Sequence, residues 1–307
     1  MPALSLDLSQ TKLFTSILKK EKGNLRLRAF YPSGHPFKSS DSGRKGEPKR
    51  ATVEEWQNEG RGVYAVINDG GDTDSEITKC RAVFCEWDDR PKEWQVDAWK
   101  GLGLPEPTLQ VDTGGKSIHN YWVFAEPISV DDWKSLQTRL LDHADADRSL
   151  KNPSRVMRLP GTFHIDGDGN PGGLTSIIHT SENYYTVRDI EKGLPSRKIH
   201  EKMIEAGRYS DYKTRTLDEV REALDKVPAR KAGTGTYHIY RNLFWGLIKA
   251  VEEAGGTRDQ AISLMQANSP SWKGLQQIAT SGGEKVTAGT FWYWAKHFGW
   301  RPPAPPP

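Results

Sequence analysis

Glu86 and Asp88 close the apolar run Arg81-Ala-Val-Phe-Cys-Glu86-Trp-Asp88-Asp89. On a strand, residues two apart leave the same face, about 7 Å apart at their Cα atoms. Val83, Cys85 and Trp87 then point the other way, into a core. Two neighbouring carboxylates repel one another unless a cation lies between them. Hard divalent ions such as Mg2+ take oxygen ligands of this kind and commonly keep a substrate phosphate as well. A solvated acidic strand end has the same spacing, so the pair needs company.

A second block, Thr113-Gly-Gly-Lys116-Ser117-Ile118-His119-Asn120-Tyr121-Trp122, supplies it. Ser117, His119 and Tyr121 share one strand face, with Ile118 and Trp122 on the other. Two glycines beside Lys116 and Ser117 let the backbone approach an anion and donate its N–H groups. The triplet Gly115-Lys116-Ser117 is not a Walker A loop, because position 110 is Gln where that pattern needs Gly. The third block runs from Asp145-Ala-Asp147 to Arg155-Val-Met-Arg158-Leu-Pro160-Gly161. Arg155 and Arg158, braced by Val156 and Leu159, suit oxygen-rich polyanions because a planar guanidinium pairs with phosphate at two points.

The elements that must hold these residues read as two domains, the default for 307 residues. Leu13, Phe14, Ile17 and Leu18 make a short amphipathic helix, and Leu25–Ala29 alternates as a strand with both arginines on one face. Residues 32–50 form a basic Gly/Ser/Pro-rich loop. Strands follow over 62–67, 81–87, 107–111 and 118–124, and Ser129 caps a helix bearing Trp133, Leu136 and Leu140. Val156–Leu159 and Leu174–His179 add two more strands. The expected organisation is a catalytic domain over 1–195, a linker over 196–212, a helical bundle over 213–300 and a proline-rich tail over 301–307. The bundle is announced by Thr216-x-x-Glu219 and Thr257-x-x-Gln260, both capping-box patterns.

Other chemistries are excluded. Gly167-x-Gly169-x-x-Gly172 lacks the strand-to-helix setting of a dinucleotide fingerprint, and Asp166-x-Asp168-x-Asn170 has Ile177 where a calcium loop needs Glu. Cys80 and Cys85 are too few for a Cys-only zinc site or a secreted disulfide scaffold. The net charge of +3 rules out a generic polycation, and no apolar run reaches bilayer length. A soluble cytoplasmic protein of a bacterial or phage-infected cell is expected.

Glu-x-Asp, then Lys-Ser-x-His, then Asp followed by Arg-x-x-Arg-Leu-Pro-Gly resembles the archaeo-eukaryotic primase superfamily. More narrowly it is similar to the primase-polymerases of phages, plasmids and other mobile elements. The resemblance implies an α+β fold: an RNA-recognition-motif-like catalytic core with a second α/β subdomain, followed by a small helical bundle. It implies DNA priming and polymerisation on single-stranded template by a two-metal mechanism, with Mg2+ or Mn2+, nucleoside triphosphates and no zinc. Glu86, Asp88 and a third carboxylate would hold the metals; Asp147, eight residues before Arg155, is favoured over Asp145. Ser117 and His119 would contact the triphosphate, helped by Lys116, Arg155 and Arg158. Glu86 departs from the family, many of whose members carry Asp there. The loop residues Lys45, Lys49 and Arg50 and the bundle residues Tyr237, His238, Tyr240 and Arg241 are the template-binding candidates, and a helicase, separate or fused, is the expected partner. Two rivals remain at this point: a metal-dependent nuclease, and a non-catalytic single-strand or origin-binding module.

Overall fold

A computed structural model describes residues 5–20, 25–194 and 215–303. The chain divides into two compact units, Met1–Leu194 and Pro195–Pro307. The expected linker over 196–212 lies outside the described residues. Among those residues no helix is long and apolar enough to cross a membrane.

The first unit is built on two antiparallel four-stranded sheets. One has the order β2-β1-β3-β7, from Arg44–Gly46, Leu27–Phe30, Gly62–Val66 and Val156–Arg158. The other has the order β10-β5-β6-β4, from Ser176–Thr180, Leu109–Asp112, Ile118–Ile128 and Cys80–Cys85. A small hairpin pairs β8 (Phe163–Ile165) with β9 (Pro171–Leu174). The sheets interleave in sequence: β7 returns to the first after β4–β6 have entered the second, which β10 then completes. Their inner faces share one continuous apolar core.

Alternation places the polar faces. Leu25, Leu27 and Ala29 are buried, so Arg26, Arg28 and Phe30 point outward. In β6, Tyr121 to Phe124 are all buried: on one face Phe14 of α1 (Leu8–Ile17) meets Tyr121 edge-on and Trp133 lies 5.9 Å from Phe84, the cross-strand partner of Tyr121, and on the other the Trp122 indole donates to Pro105 C=O. Helix α4 (Val130–Ala144) carries that Trp133 and starts where Ser129 accepts a hydrogen bond from Asp132 N–H. It seals the free edge of β4 with side chains. Trp133 Nε1 donates to Ala82 C=O at 2.6 Å, while the Gln137 amide accepts from Phe84 N–H and donates to Phe84 C=O. An edge strand left open would expose these groups for pairing with another chain.

Several expectations need correction. The strand read as 81–87 ends at Cys85. The basic loop over 32–50 contains a 3-10 turn, Lys38–Ser40, and β2. The strand read as Leu174–His179 is split between β9 and β10, because Thr175 leaves the ladder to pair with Thr162 and Gly161. Helices α2 (Arg50–Asn58) and α3 (Lys92–Gly101) were not foreseen.

The second unit holds helices Leu217–Asp225, Tyr237–Glu253, Arg258–Asn268, Leu275–Thr280 and Ala288–His297 around an aromatic core. Both capping boxes form. Gly246 lets two of the helices meet closely, since a Cβ there would fall 2.6 Å from Phe291 N.

Candidate active site

The site forms where the C-terminal end of β4 meets the start of β6. The pairing of Cys85 with Asn120 aims Glu86 at His119, and Glu86 Oε2 lies 3.2 Å from His119 Nε2. Glu86 and Asp88 leave from the extended exit of the strand rather than from the ladder itself. The chain turns there because Glu86 C=O accepts from Asp147 N–H at 3.0 Å and the Trp87 indole donates to Ala144 C=O at 2.9 Å.

Two hydrogen-bonded relays result. Burial pushes the Glu86 carboxyl up, but His119, Ser117 and the Arg155 charge outweigh it and hold the group below its ordinary range. Its carboxylate only accepts, so His119 Nε2 carries the proton, and in the neutral ring Nδ1 then accepts from Tyr121 Oη at 3.2 Å. Burial and the Glu86 charge push the Tyr121 phenol far up, which keeps it a donor. In the second relay, Ser117 Oγ donates to Asp88 Oδ1 at 3.1 Å, and Lys116 Nζ stands 3.4 Å from the same oxygen. Asp88 keeps 59% of its side chain exposed against 17% for Glu86, so one carboxylate faces solvent while the other is sheltered.

The third block lies alongside. Helix α4 ends at Asp145, whose left-handed backbone (φ 53°) turns the chain so that Asp147 reaches Glu86. The Asp147 carboxylate accepts from Ser149 N–H and, at 2.5 Å, from Ser149 Oγ, and Arg155 donates to Ser149 Oγ at 2.7 Å. Asp145 instead pairs with Arg148. Arg158, on β7, lies over the ring of Tyr64 at 5.2 Å.

Among the described residues no three His, Cys, Asp or Glu side chains are gathered as a ready metal site. Glu86 and Asp88 nevertheless suit a hard divalent cation. Both are oxygen donors at one strand end, and each is already met by a cation or an N–H donor, Lys116 and His119. Asp147 meets Glu86 through its backbone N–H, and its carboxylate is held by Ser149.

Two buried amides that the sequence reading missed lock the blocks together. Gln95 of α3 donates to Arg90 C=O (2.7 Å) and Lys116 C=O (3.1 Å) and accepts from Ile118 N–H (2.7 Å). It thus joins the loop after Asp88 to the turn before His119. Gln137 also donates to Leu150 C=O at 3.1 Å, which joins β4 to the Asp147 segment. Gln137 interrupts the apolar stripe Trp133-Leu136-Leu140, and that was the available signal. His164 was missed as well. Its ring fills the space over Gly115, where a Cβ would come within 2.9 Å, and burial followed by the Arg158 charge lowers its pKa.

The template candidates fare differently. Lys45 is exposed and 3.4 Å from Asp72, Lys49 pairs with Glu47, and Arg50 with Glu54 one helical turn away. Tyr237 and Tyr240 are corrected: at 6% and 5% exposure they belong to the second unit's core, edge-on to Trp272. Neither offers a base an open face. Arg241 lies over Tyr237 and Trp245.

No family model and no curated protein matches the chain. Among solved structures, the AEP domain of the cyanophage S-2L primase-polymerase aligns over its whole length (100%) and 62% of this chain, at 39% identity and a TM-score of 0.58. The chain belongs to the archaeo-eukaryotic primase superfamily. Two structures of primase RepB', one a catalytic domain with initiator DNA, align at 14% and 15% identity with TM-scores of 0.44 and 0.45. They cover 66% and 94% of this chain and 98% and 99% of their own. The superfamily assignment agrees with the α+β architecture expected from the motifs, and the phage relative with a protein of a mobile element.

Proposed function

We propose that this protein is a DNA primase-polymerase of a mobile element, joining nucleotides on a single-stranded DNA template. The observation that carries the reading is the meeting of Glu86 and Asp88 with Ser117, His119 and Lys116 at one strand end. A nucleophile is not required of the protein, since nucleotidyl transfer is catalysed chiefly by positioning and charge neutralisation.

Glu86 and Asp88, joined by Asp147, would hold two magnesium or manganese ions. When bound, such ions activate a 3′-hydroxyl and stabilise the pyrophosphate leaving group. The residues of the chain do the rest. Ser117 Oγ and Lys116 Nζ provide donors for a triphosphate, whereas the Gly114 and Gly115 N–H groups are engaged within the turn by Asp112 Oδ1 and Thr113 Oγ1. Tyr121 and Glu86 fix the His119 ring so that Nε2–H faces the acidic groups. Arg155 and Arg158 add charge that a nucleotide's phosphates neutralise. A nuclease needs the carboxylates but has no use for this set of donors.

The test is incubation with an unprimed single-stranded template, labelled nucleotides and Mg2+ or Mn2+. Wild type is expected to make product, and Asp88→Ala to lose synthesis while keeping DNA binding. Degradation of the template without incorporation would replace the reading with a nuclease. Absence of product from wild type, with DNA binding equal in both proteins, would replace it with a binding module.

A further inference from the structure

Apart from Arg158 at its edge, the outward face of the β2-β1-β3-β7 sheet takes no part in the site described above, yet it is not an ordinary solvated surface. Strand register lines up Lys45, Arg28, Tyr64 and Arg158 as direct neighbours across all four strands. Three strand intervals make the row about 14 Å long. Phe30, two residues along β1 from Arg28, lies 5.9 Å from the Tyr64 ring and tilted to it. The Arg28 guanidinium stands 5.1 Å from Phe30, and Lys38 Nζ is 5.3 Å from it on the same ring.

Cations and rings therefore lie side by side on this sheet face. The face carries five cationic side chains, of which Arg26, Arg28 and Lys45 meet Asp72, while Lys38 and Arg158 lie over the rings of Phe30 and Tyr64. Asp72 is shared between Arg26 and Lys45 and takes Arg28 through its carbonyl. Glu76 is occupied by the N–H groups of Asp72 and Thr73. Arg28 Nε is sealed from solvent with no hydrogen-bond partner. The row also leads somewhere. Arg158 is close enough for its charge to bear on His164, which sits over Gly115 of the turn that leads to Ser117.

We infer that this sheet face is a track for single-stranded DNA, with Arg28 and Lys45 taking backbone phosphates, Tyr64 and Phe30 stacking bases, and Arg158 marking the end at the active site. The inference rests on the proposed function and deepens it by assigning the template a path. Single strands suit such a surface because every unpaired base has a π-face, whereas a duplex hides its bases from a flat sheet. An acidic peptide would satisfy the cations and leave the rings without a role.

The experiment measures binding of a fluorescent oligothymidylate to the full chain by anisotropy at several salt concentrations. The variants are Arg28→Gln with Lys45→Gln, Tyr64→Leu, Tyr64→Phe, and a charge-matched control, Lys12→Gln with Lys100→Gln, on other exposed surface. Each single-strand phosphate contact contributes about 0.7 to the slope of log K against log salt, so the first double variant should lose about 1.4. Its affinity should fall at least tenfold, while the control stays within twofold. Tyr64→Leu should weaken binding about tenfold, the range of one stacked base, and Tyr64→Phe should restore it. Thermal melts establish that each variant is folded.

Wild-type affinity in the sheet variants, or an equal loss in the control, overturns the track. So does equal loss in Tyr64→Leu and Tyr64→Phe, which points to general disturbance of the sheet. The proposed function is judged separately, by synthesis in wild type and its loss in Asp88→Ala. Sheet variants that bind normally beside an active wild type sink the track alone. An inactive wild type whose sheet variants lose DNA sinks the polymerase reading alone.

Discussion

Replacing Gln95 with Leu removes three hydrogen bonds with almost no change in volume. Gln95 is fully buried and Ile118 is 1% exposed, so Ile118 N–H is left without a partner and out of reach of water. An unsatisfied buried group of this kind costs about 1–3 kcal/mol. The carbonyls of Arg90 and Lys116 lie nearer solvent and can be hydrated, adding about 1 kcal/mol between them. A total of about 2–4 kcal/mol lowers the melting temperature of a domain this size by about 5–15 °C. Gln95→Glu should fall between the two, since it still accepts from Ile118 N–H but gives no donor to either carbonyl. Thermal denaturation measures the stability, and steady-state incorporation on a fixed template measures the consequence. Because Gln95 holds the peptide groups on both sides of Ser117, nucleotide KM should rise more than kcat falls. A variant within 0.5 kcal/mol of wild type (about, by the ordinary scatter of surface changes), or one with kcat reduced and KM untouched, would refute the assignment of Gln95 as the residue that positions the turn.

Three further outcomes follow from the same geometry. Gln137→Leu strips the partners from Phe84 N–H and C=O and from Leu150 C=O; it should destabilise by about 2–4 kcal/mol in urea unfolding, and incorporation should weaken with it because the Asp147 segment loses its tie to β4. Gly114→Ala forces a side chain onto a backbone at φ +70° with its Cβ 2.2 Å from Gly173 C=O, so a loss of at least about 1 kcal/mol in unfolding and a raised nucleotide KM are expected. Glu86 is held below its ordinary value of 4.5, so its contribution to stability is present above that value and lost as the pH falls through the depressed one. Unfolding measured against pH should show the advantage of wild type over Glu86→Gln shrinking below pH 4.5; an advantage that grows in acid would reverse the assigned sign.

Much of the site was legible because its signals are local. Glu86 and Asp88 share parity at the end of an apolar strand, and His119 shares parity with Ser117, so two short stretches were enough to nominate the groups that meet at 3.2 Å. The strand's end at Cys85 was not legible, since it depends on Asp147 N–H and on Trp87 packing against Trp94 and Ala144 from distant segments. Gln95 escaped notice for the same reason, since a buried amide that satisfies another segment's backbone has no sequence pattern of its own; Gln137 left only its break in the stripe Trp133-Leu136-Leu140. Tyr237 and Tyr240 misled in the opposite direction. Aromatics beside Arg241 fit a base-stacking surface equally well by composition, and only burial against Trp272 identifies them as core.

The account stands most directly on where metal and nucleotide go. A crystal structure with Mn2+ and a non-hydrolysable nucleoside triphosphate, read by anomalous scattering, measures both at once. The expected result is manganese bound by the carboxylate oxygens of Glu86 and Asp88, with the triphosphate against Ser117, Lys116 and His119. Manganese carried only by the phosphates, with the nucleotide elsewhere and both carboxylates still engaged as they are now, would contradict it.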